Sequence, residues 1–254
     1  TREEIEENAR RGYTYWHLKK AVQEMHDRGI KYCGCVGTFW LNARERDPVT
    51  MRVYERSETW KMALDPRKWG INYPKVEFQE KLARDFGHVA PGEPYDPARV
   101  RAYFPDITNK DYQRLLLNLV RKQAECGVDA VFVDTLFRQA MELAQIAGKK
   151  HPAVQETWEA TCKIVSEMKR AGVEVISWIS YIFFPEYDPP PLDQATATPR
   201  PKEIRNRKLD AKFWDAVKKR VAHPILVFLD YGGPNLAMWY FSQEYTLEEQ
   251  RRFL

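Results

Sequence analysis

Long apolar runs are missing from this chain of 254 residues. No stretch approaches the roughly 20 consecutive apolar residues that a membrane-spanning helix needs, so no membrane span is expected. Cysteine is scarce. Cys33, Cys35, Cys126 and Cys162 are too few for a disulfide framework. Cys33-Gly34-Cys35 has no second cysteine pair to complete a zinc site, and Cys126 and Cys162 fall on apolar helical faces, where they read as structural thiols. His17, His26, His88, His151 and His223 are scattered without ligand spacing, so no metal is expected. A glycine-rich phosphate loop is lacking, and with it the expectation of a nucleotide cofactor. G-x-S-x-G is lacking too, which leaves an α/β-hydrolase nucleophile unsupported. Nor does one sign of charge dominate. The balance of 40 Lys+Arg against 36 Asp+Glu is +4, too small and too interspersed to argue for a nucleic-acid partner. The basic run from Arg200 to Lys208 carries Glu203 within it and reads as a solvated loop. No secretory signal is visible, which favours the cytoplasm, although the chain begins at Thr1 rather than Met.

What the chain does have is apolar residues at 44%, enough for a substantial core, and aromatics at 13%, with 8 Trp and 13 Tyr. Helical and buried-strand signals alternate along it. Leu18, Val22 and Met25 recur at helical spacing before Gly29, and the small, apolar residues 30–39 follow as a buried strand. Tyr112, Leu115, Leu116, Leu119 and Val120 mark a helix that Thr108 or Asn109 can cap, and 128–134 is the next strand. A helix over 153–171, with Trp158, Cys162, Val165 and Met168 inward, leads into a strand over 173–180. A helix over 209–221 leads into a strand over 224–230, and a last helix covers 246–250. A fifth strand is expected within 102–105. Residues 40–105 lack clean periodicity and read as an irregular insertion, and 182–207 as a proline-rich excursion. Helices alternating with buried strands imply a parallel sheet. The expected fold is α/β: one parallel (β/α)8 TIM barrel over 1–254 with long βα loops. The chain holds five or so recognisable units, so either the barrel is incomplete in this chain or its ends go unrecognised.

In such a barrel the site lies at the C-terminal ends of the strands. Two apolar strands end in carboxylates there, at Asp134 and Asp230. A carboxylate at the end of an apolar run needs a partner, a ligand or water, because burying it unpaired is costly. Either Asp could simply cap its loop. Two at corresponding strand ends tilt the reading toward a functional pair.

These residues resemble the barrel glycoside hydrolases. Residues 26–42 are similar to the helix-to-strand step of those barrels. Phe104 to Asn109, followed by a helix and Gly127 to Asp134, is similar to the "D-x-T-N … G-V-D-G-x-x-x-D" run of the α-galactosidase-like and α-amylase-like barrels. The resemblance implies that Asp134 is the nucleophile. An amylase-like arrangement implies a Glu at the end of the next strand, but that strand ends Ser177-Trp178-Ile179-Ser180, and the nearest Glu is Glu186. An α-galactosidase-like arrangement implies an Asp two strands on, where Asp230 falls. Asp230 is therefore preferred as the acid, with Glu186 as the alternative and Asp188 a further competitor.

Cleaving a glycoside takes two carboxyl groups, one as nucleophile or base and one as proton donor. Sugar binding adds aromatic platforms and hydrogen-bonding groups. Trp40, Trp178, Tyr181 and Tyr231 lie at strand ends or just beyond them, and Asn42, Arg44 and Asp106 can reach hydroxyls. The expected activity is hydrolysis of O-glycosidic bonds, with an oligo- or polysaccharide as the partner. The alternative is a non-catalytic carbohydrate-binding barrel, which needs the aromatics but not the second acid. A metal-assisted lyase would need a cluster of His and carboxylates that the sequence does not offer.

Overall fold

A computed structural model describes residues 15–90, 92–221, 223–227 and 244–253. The chain divides into two compact units, Thr1–Ile176 and Ser177–Leu254.

In the first unit, helix α1 (Tyr15–His26) buries Leu18 and Val22. It ends at Gly29, whose φ of 71° is the left-handed conformation that glycine adopts without strain. Strand β1 (Cys33–Gly37) follows. The chain then runs through residues 40–105 before helix α4 (Lys110–Glu125) leads into strand β6 (Ala130–Asp134). β1 and β6 pair in parallel, with Cys33 opposite Ala130, Cys35 opposite Phe132 and Gly37 opposite Asp134.

α4 starts where the sequence indicates. Asn109 accepts hydrogen bonds from the amides of Asp111 and Tyr112 at 3.0 and 3.1 Å and so caps the first turn. Its buried face holds Tyr112, Leu115, Leu116 and Val120. Asn118 is buried beside them while Leu119 is only half-buried, because the Asn118 amide donates to the carboxylate of buried Asp47 at 2.7 Å. Gly34 is what lets β1 meet α4 closely. A Cβ there would sit 2.0 Å from Oε1 of Gln123, whose Nε2 donates to the Cys35 carbonyl at 2.8 Å. Gly34 and Val36 face this packing, whereas Cys33 and Cys35 lie on the opposite, open face.

Helix α5 (Arg138–Ala147) and helix α6 (Pro152–Lys169) complete this part of the unit. α5 was not anticipated from the sequence. α6 buries Trp158, Val165 and Met168 as expected, with Cys162 half-buried.

The region expected to be irregular, 40–105, folds into short elements. These are β2 (Leu41–Asn42), β3 (Glu45–Arg46), β4 (Val53–Tyr54), α2 (Arg56–Met62), a 3₁₀ turn at Pro66–Trp69, α3 (Lys75–Asp85) and β5 (Ala102–Tyr103). β5 corrects an expectation. It pairs antiparallel with β2, Leu41 against Tyr103, instead of joining the parallel sheet. A two-residue strand has no room for the alternation that would have told the two apart. Leu64, Phe78, Leu82 and Phe104 form a core here. Buried Gln79 stitches it, donating to the carbonyls of Leu64 and Phe104 at 3.0 and 2.8 Å and accepting from the Phe104 amide at 2.9 Å.

Strand β7 (Glu174–Trp178) crosses the boundary between the units. In the second unit the proline-rich excursion contains a 3₁₀ turn at Ile179–Phe183 and strand β8 (Gln194–Ala197). Helix α7 (Pro201–Arg205) replaces part of the expected basic loop. It turns on Glu203, which is 2% exposed and accepts from the Asp210 amide at 2.7 Å and the Trp214 indole at 2.9 Å. Helix α8 (Ala211–Arg220) precedes strand β9 (Ile225–Val227), which pairs in parallel with β8, and helix α9 (Leu247–Phe253) follows. The fold is α/β around a parallel sheet in the order β1-β6-β7-β8-β9. Five strands, not eight, make up that sheet among the described residues.

Candidate functional site

Asp134 ends β6 and is half-buried. Its side chain shares the sheet face that carries Cys35 and Phe132, since side chains alternate along a strand and the register sets Phe132 beside Cys35. That face is open at Cys33 and Cys35. The Cys35 thiol is pushed up to about 11, first by the protein around it, then by the Asp134 charge and by Cys33.

The main chain at Asp134 is heavily held. Its carbonyl accepts from the Thr38 amide at 3.1 Å, the Thr38 hydroxyl at 3.0 Å and the Thr135 hydroxyl at 2.7 Å. The two hydroxyls are 3.5 Å apart. Thr135 has φ of 57°, the left-handed region, which is a true outlier for a β-branched residue. Its carbonyl accepts from the Arg138 amide at 2.9 Å, so this turn launches α5.

Just past β1 stands Trp40, 38% exposed. Its indole donates to Asn42 Oδ1 at 2.7 Å, and the Asn42 amide donates in turn to Glu45. The His88 ring meets Trp40 edge-on, with centroids 4.0 Å apart, and packs beside Phe39 and Phe86. Burial holds the His88 imidazole below its ordinary range, so it is neutral at neutral pH. The indole plane is thus fixed by a hydrogen-bond chain and by a ring contact. Arg44, by contrast, is an exposed side chain paired with Glu55 at 3.1 Å.

Asp106 sits differently. It is 5% exposed, and protein donors occupy its carboxylate. Oδ1 accepts from the Thr108 amide at 2.9 Å, the Thr108 hydroxyl at 2.8 Å and the Gln139 amide at 3.0 Å, while Oδ2 pairs with Lys68 at 2.5 Å. Gln139, in the first turn of α5, also donates to Thr157 at 3.1 Å and accepts from the Ile107 amide at 2.7 Å. Expected as a sugar ligand, Asp106 is instead a brace between the loop before α4, α5 and α6. Three of its donors crowd onto Oδ1, and the Lys68 ammonium takes Oδ2.

Trp178 ends β7 and is half-buried, and Tyr181 is fully buried in the second unit, its phenol pushed up to about 12 by that burial. The Tyr181 ring has no exposed face. Glu186 and Asp188 are exposed in the loop beyond it. Asp230 and Tyr231 lie outside the described residues. Thr38, Thr135, His88 and Gln139 are additions that the sequence did not signal. No trio of His, Cys, Asp or Glu suited to a metal gathers among the described residues, and no described helix is long and apolar enough to cross a membrane.

No protein-family model matches the chain, and no curated protein matches its sequence. Solved structures similar to it in architecture include glycoside hydrolases. One is the glycoside hydrolase domain of PelA from Pseudomonas aeruginosa, at 13% identity and a TM-score of 0.44, covering 82% of this chain and 71% of that one. Another is TtGalA, the α-galactosidase from Thermus thermophilus in complex with p-nitrophenyl α-D-galactopyranoside. It is 13% identical with a TM-score of 0.43, and the match covers 92% of this chain and 48% of that one.

Proposed function

We propose that this chain is a glycoside hydrolase in which Asp134 is the nucleophile or base and an oligo- or polysaccharide stacks on Trp40. The observation that carries the reading is the left-handed backbone of Thr135 directly after a strand-end carboxylate. A β-branched residue held there costs on the order of 1–3 kcal/mol, and such strain persists where the surroundings over-determine it, most often at functional sites. The tethered, partly open indole of Trp40, two residues beyond Thr38, supplies a flat apolar face of the kind that binds the apolar side of a sugar ring.

The reaction needs a second carboxyl group to protonate the departing oxygen. Asp230 is the proposed acid and Glu186 the alternative. Asp230 is preferred because it follows the apolar run Ile225 to Leu229 in the sequence, at the place an α-galactosidase-like acid would take. Glu186 lies exposed on its loop.

The test is hydrolysis of a panel of 4-nitrophenyl glycosides and of their alkyl counterparts. Wild type should cleave at least one, and Asp134→Asn should lose the activity while keeping its melting temperature and its binding of the sugar. Among the acid candidates, Asp230→Ala should lose far more on the poor alkyl leaving group than on nitrophenolate, because only the former needs protonation. The same pattern in Glu186→Ala alone would move the acid to Glu186. Saccharide binding without turnover in wild type would favour the non-catalytic carbohydrate-binding reading.

A further inference from the structure

We infer that Thr38 and Thr135 form a hydroxyl clamp that positions the Asp134 carboxylate by gripping its main-chain carbonyl. The inference rests on the reading of Asp134 as the reacting carboxylate and adds two positioning residues to it.

The argument starts from satisfaction. A carbonyl oxygen offers two lone pairs, and the parallel ladder needs only one amide donor for it. The Thr38 amide already provides that donor at 3.1 Å. The Thr38 and Thr135 hydroxyls are therefore surplus to the ladder, yet both point at the same oxygen, at 3.0 and 2.7 Å. Thr38 is 5% exposed, so its bond is made largely out of water, where it is stronger and stiffer.

Surplus donors on a backbone group that is already paired act on geometry. The peptide joining Asp134 to Thr135 is where the chain leaves extended strand and enters a left-handed residue. Losing that grip would let the end of β6 peel away from β1 and carry the Asp134 Cα, and the Cα–Cβ bond built on it, off its place on the sheet face. The clamp opposes this movement from both sides, with Thr38 reaching from β1 and Thr135 from the turn itself. It also offsets the strain that would otherwise release Thr135 to a negative φ. Thr38 leads into the segment that carries Trp40, so the clamp sets the carboxylate and the platform on one frame.

The test has an arm that needs no substrate. In isotope-labelled protein, the couplings from the Asp134 backbone N and C′ to its Cγ read χ1, and the Thr135 amide-to-Hα coupling with its Cα shift reads φ. Wild type should give one Asp134 rotamer and a left-handed Thr135. Thr38→Val keeps the side-chain shape but removes the hydroxyl. It should average the rotamer and shift the Thr135 signals, and Thr38→Ser should restore both. In the activity arm, Thr38→Val should lower kcat by roughly 10- to 100-fold with KM nearly unchanged, the scale expected for a misplaced reacting group, and Thr38→Ser should recover most of the loss.

Should Thr38→Val fail to fold, Thr135→Gly carries the same test. Glycine accepts φ of 57° without strain, so the turn survives while one hydroxyl is lost. An unaltered rotamer and unaltered kcat in the folded variants overturn the clamp. Loosened couplings in a protein that hydrolyses nothing on the glycoside panel uphold the clamp and overturn the glycosidase reading instead.

Discussion

Asp134 ends strand β6 and Asp106 comes three residues after β5, and the described hydrogen bonds hold different atoms of the two acids. At Asp106 the protein grips the side chain: two donors from Thr108, one from Gln139 and the Lys68 ammonium close around the carboxylate. At Asp134 it grips the main chain, with Thr38 and Thr135 on the carbonyl. The first arrangement fixes three segments to one another. The second fixes the direction of a side chain. An acid's place in a sequence says little about which of the two it will do. The identity of the atoms that its neighbours hold says much more.

Substitutions can break this contrast. The largest effect is expected on turnover in Asp134→Asn, a fall of about a thousandfold or more in kcat if the proposed nucleophile is the one removed. Its melting temperature should stay within a few degrees of wild type, which thermal denaturation followed by circular dichroism would check. Asp106→Ala should do the reverse. It strands Gln139 and Lys68, and breaking a buried pair costs about 3–5 kcal/mol, reduced here to roughly 2–3 because the Lys68 side chain remains 35% exposed. That corresponds to a drop of about 5–10 °C in Tm. A stable Asp106→Ala with lost saccharide binding would instead make Asp106 a ligand.

Asp47 sharpens the contrast through pH. Burial pushes its carboxyl up, but hydrogen bonds from Thr50, Asn118 and Val49 outweigh that and hold it below the usual carboxylate range. A depressed folded pKa stabilises above the unfolded value of about 3.9 and loses that stabilisation as pH falls through the folded value. Asp47→Asn should therefore cost stability at pH 7, on the order of 1–2 kcal/mol, and the deficit should shrink as pH falls from the unfolded value through the lower folded one. Urea unfolding at pH 7 and across that fall reads this, and a deficit that persists in acid would assign the loss to packing. The smallest effect is expected for Gly34→Ala, about 1 kcal/mol in the same assay, because the new methyl must displace the far end of the Gln123 side chain.

Where the sequence was legible, one periodicity ruled. β1 and β6 were readable as short runs of small and apolar residues, and α4 because Tyr112, Leu115, Leu116 and Val120 keep the helical spacing despite buried Gln113, Asn118 and Gln123, with Asn109 announcing its cap. α5 was not, because two of its inward positions are polar. Gln139 serves the Asp106 brace, and Glu142, fully buried, pairs with Lys81 at 2.7 Å and with Arg138. β8 was hidden for a similar reason: Gln194-Ala195-Thr196-Ala197 carries little hydrophobic signal and lies among prolines. In the candidate site Asp134 was legible as the end of an apolar strand. Thr135 was not, since nothing in sequence marks a threonine that will take positive φ. The burial of Tyr181 was not legible either, because proximity to a strand end does not reveal whether a ring lies in the core or at the rim.

The Cys35 thiol has a use as a local electrometer. With its pKa near 11, only about one thiol in 10⁴ is ionised at pH 7, so an open side chain should still react slowly with an alkylating reagent. One part of that slowness comes from the negative charge on Asp134. Whatever neutralises that charge, whether a proton, an amide substitution or a covalently attached glycosyl group, should quicken the reaction of a thiol it never touches.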